Sequence, residues 1–262
     1  MYNVKVIEYP TGVQVRVYKK AVREERWNCD EWGEIPEPKK REEKEEPPDR
    51  DRSLRVSADR SLQTVYKYAR SNLWEWFFTL TFNPEKVDSF NYQEVTEKLA
   101  KWLNNLRRVC PNMKYLVVPE KHKSGRYHFH GLFSNVDELR FIDSGHTDEG
   151  GHTVYNVGNY SLGFSTAVKI GETLEDSAKI SSYLSKYITK DLTEGTFGKK
   201  RYWASRNLDL PREYIAEIPR KDIKRLRLEL LAECTWHKQQ GGEIQSVDYF
   251  EFKGVPECLL KS

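Results

Sequence analysis

Apolar and polar positions alternate over residues 3–8 and again over 13–19, on either side of Pro10-Thr11-Gly12. A period of two with a breaker between predicts a β-hairpin. From about Glu34 to Arg52 the chain is almost all proline and charge, as in Glu37-Pro38-Lys39-Lys40-Arg41-Glu42-Glu43. It has too little apolar surface to order itself and reads as a linker. Leu62, Val65, Tyr66 and Ala69 recur at helical spacing and predict a helix over Ser57–Ser71. Residues 76–82 are aromatic and β-branched, stop at Asn83-Pro84 and read as a central strand. Over Tyr92–Val109 the apolar stripe Val95, Leu99, Leu103, Leu106 predicts an amphipathic helix. Lys114–Glu120 and Tyr127–Leu132 read as a strand pair about Ser124-Gly125. Residues 134–162, rich in Gly, Asp, Asn and Ser, read as an excursion with a short helix near Val136–Phe141. A strand over Phe164–Ile170, a helix over roughly 174–191 and a strand over Lys199–Ala204 follow. Beyond them Pro211–Glu233 reads as helical, and 243–252 as a strand suited to pair with the N-terminal hairpin.

The order strand, helix, paired strands, strand, helix, strand predicts an α+β core, an antiparallel sheet with helices packed on it. Four segments result: an N-terminal β-hairpin appendage (1–33), a charged linker (34–56), the core domain (57–206) and a C-terminal helical/β extension (207–262). Composition narrows the partners. Charged residues are 32% and hydrophobic ones 38%, yet the net charge is only +3, which argues against a histone-like binder and leaves room for local basic patches. No apolar run is long enough to span a bilayer, and charges interrupt Met1–Ala21 where a signal peptide needs its apolar segment. Cys29, Cys110, Cys234 and Cys258 are scattered without a C-x-x-C pair, which fits a reduced, cytoplasmic protein rather than a zinc ribbon.

The chemistry concentrates in two stretches. In Tyr127-His128-Phe129-His130-Gly131-Leu132 the strand period puts both imidazoles on one face and Phe129 on the other. Glu120 has the parity of both histidines. It joins their face if the loop is odd-numbered or bulged, since a two-residue loop would turn it away. Two imidazoles and a carboxylate suit Mn²⁺ and tolerate Mg²⁺, and three ligands leave positions open for phosphate oxygens. The alternative is that the histidines merely pack; His122 at the turn competes with Glu120 as third ligand. The second stretch is Tyr-x-x-Lys written twice, Tyr183 to Lys186 and Tyr187 to Lys190. On a helix these four lie along one side, and Ile180, Leu184 and Ile188 form an apolar stripe. A phenol, with its pKa of about 10, needs help to attack phosphorus, and a metal-bound phosphate with a nearby ammonium supplies it. His146, His152 and His237 have no matching partners and read as surface residues.

His128-Phe129-His130 resembles the histidine–hydrophobe–histidine motif of the HUH endonucleases. Tyr183–Lys190 is similar to their tyrosine helix, Glu120 to the third metal ligand of viral replication initiators, and Phe77–Phe82 to their first motif. The resemblance spans roughly residues 70–206, with the motifs in the family's order, and is nearest to rolling-circle replication-associated initiators of small phages, prophages and plasmids. It implies a ferredoxin-like (RRM-like) core and metal-dependent nicking and rejoining of single-stranded DNA at an origin through a 5′-phosphotyrosine. Glu120, His128 and His130 would then hold Mg²⁺ or Mn²⁺. Tyr183 and Tyr187 would be the nucleophiles, with Lys186 at the scissile phosphate or the leaving 3′ hydroxyl. Thr79, Thr81, Lys190, Lys199, Lys200, Arg201, Tyr202 and Trp203 are candidates to bind the DNA, the last five because cations mixed with aromatics suit single strands. No G-x-x-x-x-G-K-[ST] stretch is present, so a host helicase and a host DNA polymerase are the implied partners. The competing readings are a transposase or relaxase of the same chemistry and a non-catalytic RRM-like nucleic-acid-binding module.

Overall fold

The structure is a computed structural model that describes residues 1–23, 50–171, 179–181, 183–184, 199–241 and 246–260. It is α+β, and the chain divides into two compact units, one of Met1–Arg50 with Arg212–Ser262 and one of Asp51–Pro211. The 34–56 linker falls largely outside the described residues.

In the first unit the N-terminal hairpin, β1 (Tyr2–Tyr9) and β2 (Gly12–Val22), belongs to a five-stranded sheet. The 243–252 stretch supplies a strand over Ser246–Phe252 that pairs antiparallel with β2, from Val247↔Tyr18 to Phe252↔Val13. Val4, Val13, Val15, Val17, Phe250 and Phe252 form the core with Leu230 from the helix Arg220–Glu233. The continuous helix expected over Pro211–Glu233 is corrected. Arg212–Ala216 is an edge strand on β1, and Pro219 caps the helix that follows. A proline inside a helix removes a hydrogen bond and clashes with the preceding turn, so Pro219 marks a break in the pattern.

The second unit is built on a seven-stranded antiparallel sheet. Its helices and strands run α1 (Arg50–Ser71), β3 (Trp76–Leu80), α2 (Tyr92–Val109), β4 (Lys114–Lys121), β5 (Tyr127–Ser134), β6 (Phe141–Thr147), β7 (Thr153–Val157), β8 (Ser165–Lys169) and β9 (Trp203–Ala204). The sheet order is β6-β7-β8-β3-β5-β4-β9. Because β5 is antiparallel to both β3 and β4, those two are parallel to each other. The unit β3–α2–β4 with β5 inserted is a split β-α-β arrangement. Asn91 starts α2, its side chain accepting from the backbone N–H of Gln93 and Glu94, so two N–H groups without intrahelical partners are satisfied.

Strand alternation gives the sheet two different faces. Phe78, Leu80, Tyr115, Val117, Phe129 and Phe133 point to one side, where Val95, Leu99, Leu103 and Leu106 of α2 cover them. Leu116, Val118 and Leu132 point to the other, against Val65 and Ala69 of α1 and Leu184. The helical residues 179–181 and 183–184 thus reach the same face as α1, and Ser181 donates a hydrogen bond to the Ala69 carbonyl (2.7 Å).

The short helix expected near Val136–Phe141 is absent. β6 and β7 form a hairpin there, closed where the Asp148 carboxylate accepts from the N–H groups of Gly150 and His152, with Gly151 at φ +80°. Its glycines and aspartate serve a bulge and a turn, which imitates loop composition. Between Lys199 and Ala204 only Trp203–Ala204 is strand.

Candidate metal and nucleophile site

The β4–β5 hairpin sets the site. Five residues separate Lys121 from Tyr127, and His122 N–H bonds to the Arg126 carbonyl while Gly125 N–H bonds to that of His122 (both 2.8 Å). Gly125 sits at φ +86°, where a side chain would be strained. With this odd loop Glu120 is the direct cross-strand partner of His128, and His130 is the partner of Val118. All three therefore share the α1 face of the sheet, while Phe129 between them is fully buried under α2.

His130 is only 6% exposed. Its Nε2 lies 2.7 Å from Glu120 Oε2, its Nδ1 lies 3.2 Å from Thr79 Oγ1 on the facing position of β3, and its ring stacks on Phe77 at 5.8 Å. A neutral imidazole that donates from Nε2 to Glu120 leaves Nδ1 to accept from the threonine hydroxyl. When Nε2 gives up its proton, the hydroxyl can rotate and accept instead. Thr79→Val removes this contact at nearly constant volume, and by analogy with outer-shell partners of metal-bound histidines we expect roughly 10- to 100-fold weaker Mn²⁺ binding, measured by titration calorimetry.

Burial lowers the pKa of both histidines. For His130 desolvation outweighs the hydrogen bond and charge of Glu120; for His128 desolvation and the nearby His122 outweigh Glu120. Both therefore favour the neutral imidazole, the form that binds a metal. The linkage sign follows. With folded-state pKa values below the unfolded value of about 6.5, the unfolded chain takes up more protons, so their stabilisation is full above that pH and is lost as pH falls through the folded values. Without metal, the melting temperature should drop as pH goes below about 6.5, and less steeply in the His128→Ala, His130→Ala double variant.

Among the described residues no group of three or more His, Cys, Asp or Glu side chains is arranged so that it could hold a metal ion. The His128 ring stacks on His122 (5.4 Å) while Glu120 and His130 bond each other. The donor chemistry nevertheless fits a divalent cation. Two imidazoles biased to neutrality and a carboxylate stand on one face, and the second nitrogen of His130 already has an outer partner.

Tyr183 lies over the same face. Its ring meets Phe77 edge-on at 5.5 Å, so one phenyl touches both the His130 and Tyr183 rings. Leu184 beside it is fully buried, whereas Tyr183 is 42% exposed, as the helical wheel requires. Tyr183 lines a cleft of ≈ 590 Å³ with Phe77, Thr79, Thr166, Lys169, Lys179 and the Asp148–His152 turn. His152, read from the sequence as a plain surface residue, is held there by Asp148 (Nδ1 3.1 Å from the carboxylate). Lys186, Tyr187 and Lys190 lie outside the described residues.

The expected DNA-binding residues divide. Thr81 Oγ1 donates to the Phe164 carbonyl. Lys199 and Lys200 are exposed, with their ammoniums over the rings of Tyr92 and Trp203 (5.1 and 5.3 Å). Arg201 is buried and donates to Ser57 Oγ, and Tyr202 packs partly buried on the α1 side. Trp203 is a correction to the reading of a base-stacking surface, for its ring is buried edge-on against Phe129 (5.4 Å). Phe77, Lys169, Lys179 and Arg126 were not singled out from the sequence, because only strand pairing and the helix above the sheet bring them to this face.

An α+β fold whose sheet face carries a Glu-His-His set, with a tyrosine on the helix above it, is the class that this geometry defines. The family model of the replication-associated protein ORF2 matches residues 75–192, a span from the start of β3 through the tyrosine-bearing segment. That segment is similar to replication-associated proteins, and it includes Glu120, His128, His130 and both Tyr-x-x-Lys pairs. No curated protein and no solved structure matches the chain. Among the described residues no helix is long and apolar enough to cross a membrane.

Proposed function

We propose that this chain is a rolling-circle replication initiator that nicks and rejoins single-stranded DNA through a phosphotyrosine link. The observation that carries the reading is the shared face: Glu120, His128 and His130 lie on the side of the sheet where Tyr183 packs on Phe77. The match to replication-associated proteins supports a role in replication.

Glu120, His128 and His130 would hold Mg²⁺ or Mn²⁺, with the His128 ring leaving His122 to join the other two. The bound ion supplies Lewis-acid stabilisation of charge on the phosphate oxygens. Tyr183 attacks phosphorus with its phenolic oxygen. An O–P bond to tyrosine forms, the bond to the 3′ oxygen breaks, and that oxygen leaves with the electron pair and takes up a proton. The phenol proton passes to solvent or a nearby base. Attack by a free 3′ hydroxyl reverses the step and releases the tyrosine, so rejoining needs no ATP. Lys186 acts on the leaving oxygen, and Tyr187 makes the second cut that allows circle closure. The free 3′ end then primes a host polymerase, with a host helicase opening the duplex.

The test is incubation of the whole chain with end-labelled single-stranded oligonucleotides and Mn²⁺. A cut product plus a protein-linked fragment supports the proposal; binding without any cut across an origin-spanning library favours a non-catalytic nucleic-acid-binding module.

A further inference from the structure

The turn that leads into α2 carries Phe90, a side chain that the fold itself does not use. It is 56% exposed, while its neighbours Ser89 and Tyr92 are buried. Its backbone is pinned on both sides. Phe90 N–H bonds to Asp88 Oδ1 (3.0 Å), Asn91 N–H to the Asp88 carbonyl (3.1 Å) and Tyr127 N–H to the Ser89 carbonyl (2.8 Å). The ring therefore stands beside the tip of the β4–β5 hairpin. Arg126 places its guanidinium over it at 5.5 Å, and Gly125 lies against its edge, where even a Cβ would be at 3.5 Å. The same tip carries exposed Lys121 and Lys123. The Arg126 charge also reaches His128, on the site side of the hairpin.

A scattered surface phenylalanine needs no explanation. This one is held rigid, half open, and ringed by cations next to the candidate metal ligands. A flat apolar face beside backbone-neutralising charge is how single strands are gripped, because every base has a π-face and every nucleotide a phosphate.

We propose that Phe90 is a base-stacking platform for single-stranded DNA, with Arg126 and Lys123 on the adjoining phosphates, and that it seats a nucleotide flanking the scissile position. This rests on the nicking function proposed above. It adds a substrate contact that the Tyr-x-x-Lys and His-x-His stretches do not provide. A second protein as occupant is disfavoured by the charge around so small an apolar face.

The experiment measures anisotropy of labelled oligonucleotides bound to the whole chain in EDTA, so that binding is separated from cutting. Phe90→Ala should weaken binding about 5- to 100-fold, and Phe90→Trp should restore it. In a series with one abasic site moved along the strand, one position should cost the wild type most and should cost Phe90→Ala nothing further. Equal affinity of Phe90→Ala and wild type, or an abasic penalty that is unchanged in the variant at every position, overturns the platform. A wild-type chain that binds no single strand overturns the proposed function as well as the platform.

Discussion

Tyr183→Phe should abolish the covalent adduct between the protein and a short single strand in Mn²⁺, by roughly 10³-fold or more, as loss of a nucleophile does elsewhere. The substitution removes one oxygen and leaves the ring on Phe77, so folding and DNA affinity should hardly change. Tyr187→Phe should keep the first cut and lose the second, which a substrate carrying two origins reads as failed circle closure. The asymmetry follows from packing. Tyr183 is exposed next to the fully buried Leu184, over the histidine face, whereas position 187 falls nearer the apolar stripe on the helical wheel. A gel shift of labelled DNA on denatured protein measures both variants. Adduct at full yield from Tyr183→Phe would mean that another residue attacks.

His130→Ala should remove Mn²⁺ binding and cleavage together. Outer-shell losses already cost metal sites about 10- to 100-fold, so loss of a ligand should exceed 100-fold. Single-strand affinity in EDTA should stay, because the exposed cations are untouched. Here His130 is buried against Phe77, and the variant leaves Glu120 without its bonded partner. His130→Gln, which keeps volume and a hydrogen bond, therefore serves as the folding control. Glu120→Ala should cost less, since water can take a carboxylate's position. A larger loss from His122→Ala than from Glu120→Ala would reassign the third ligand, given that His122 stacks on His128.

Much of the site was legible because its signals are local. Phe129 between two histidines could face only a core, and the loop count from Lys121 to Tyr127 then carried Glu120 to the histidine side. The α2 stripe was read to its ends because Asn91 and the apolar spacing agree. What failed was either exposed or long-range. Strands Arg212–Ala216 and Trp236–Gly241 are exposed at every residue, so no alternation of burial marks them. Glycines that serve the Gly145 bulge and the Gly151 turn made β6 and β7 look like loop. The Thr79–His130 contact joins residues 51 apart through strand pairing, and nothing near Thr79 announces it. Trp203 was misread for a related reason. Beside Lys199, Lys200 and Arg201 it looked like part of a nucleic-acid surface, but pairing of β9 with β4 turns its ring into the core.

The most direct test of the account is to incubate the whole chain with a single-stranded DNA library and Mn²⁺, digest it, and identify the residue that carries the DNA by mass spectrometry. The account predicts a 5′-phosphotyrosine on Tyr183, formed at one DNA sequence and lost in EDTA. An adduct on a tyrosine outside the Tyr183–Lys190 stretch, or one formed equally well in EDTA, would contradict it.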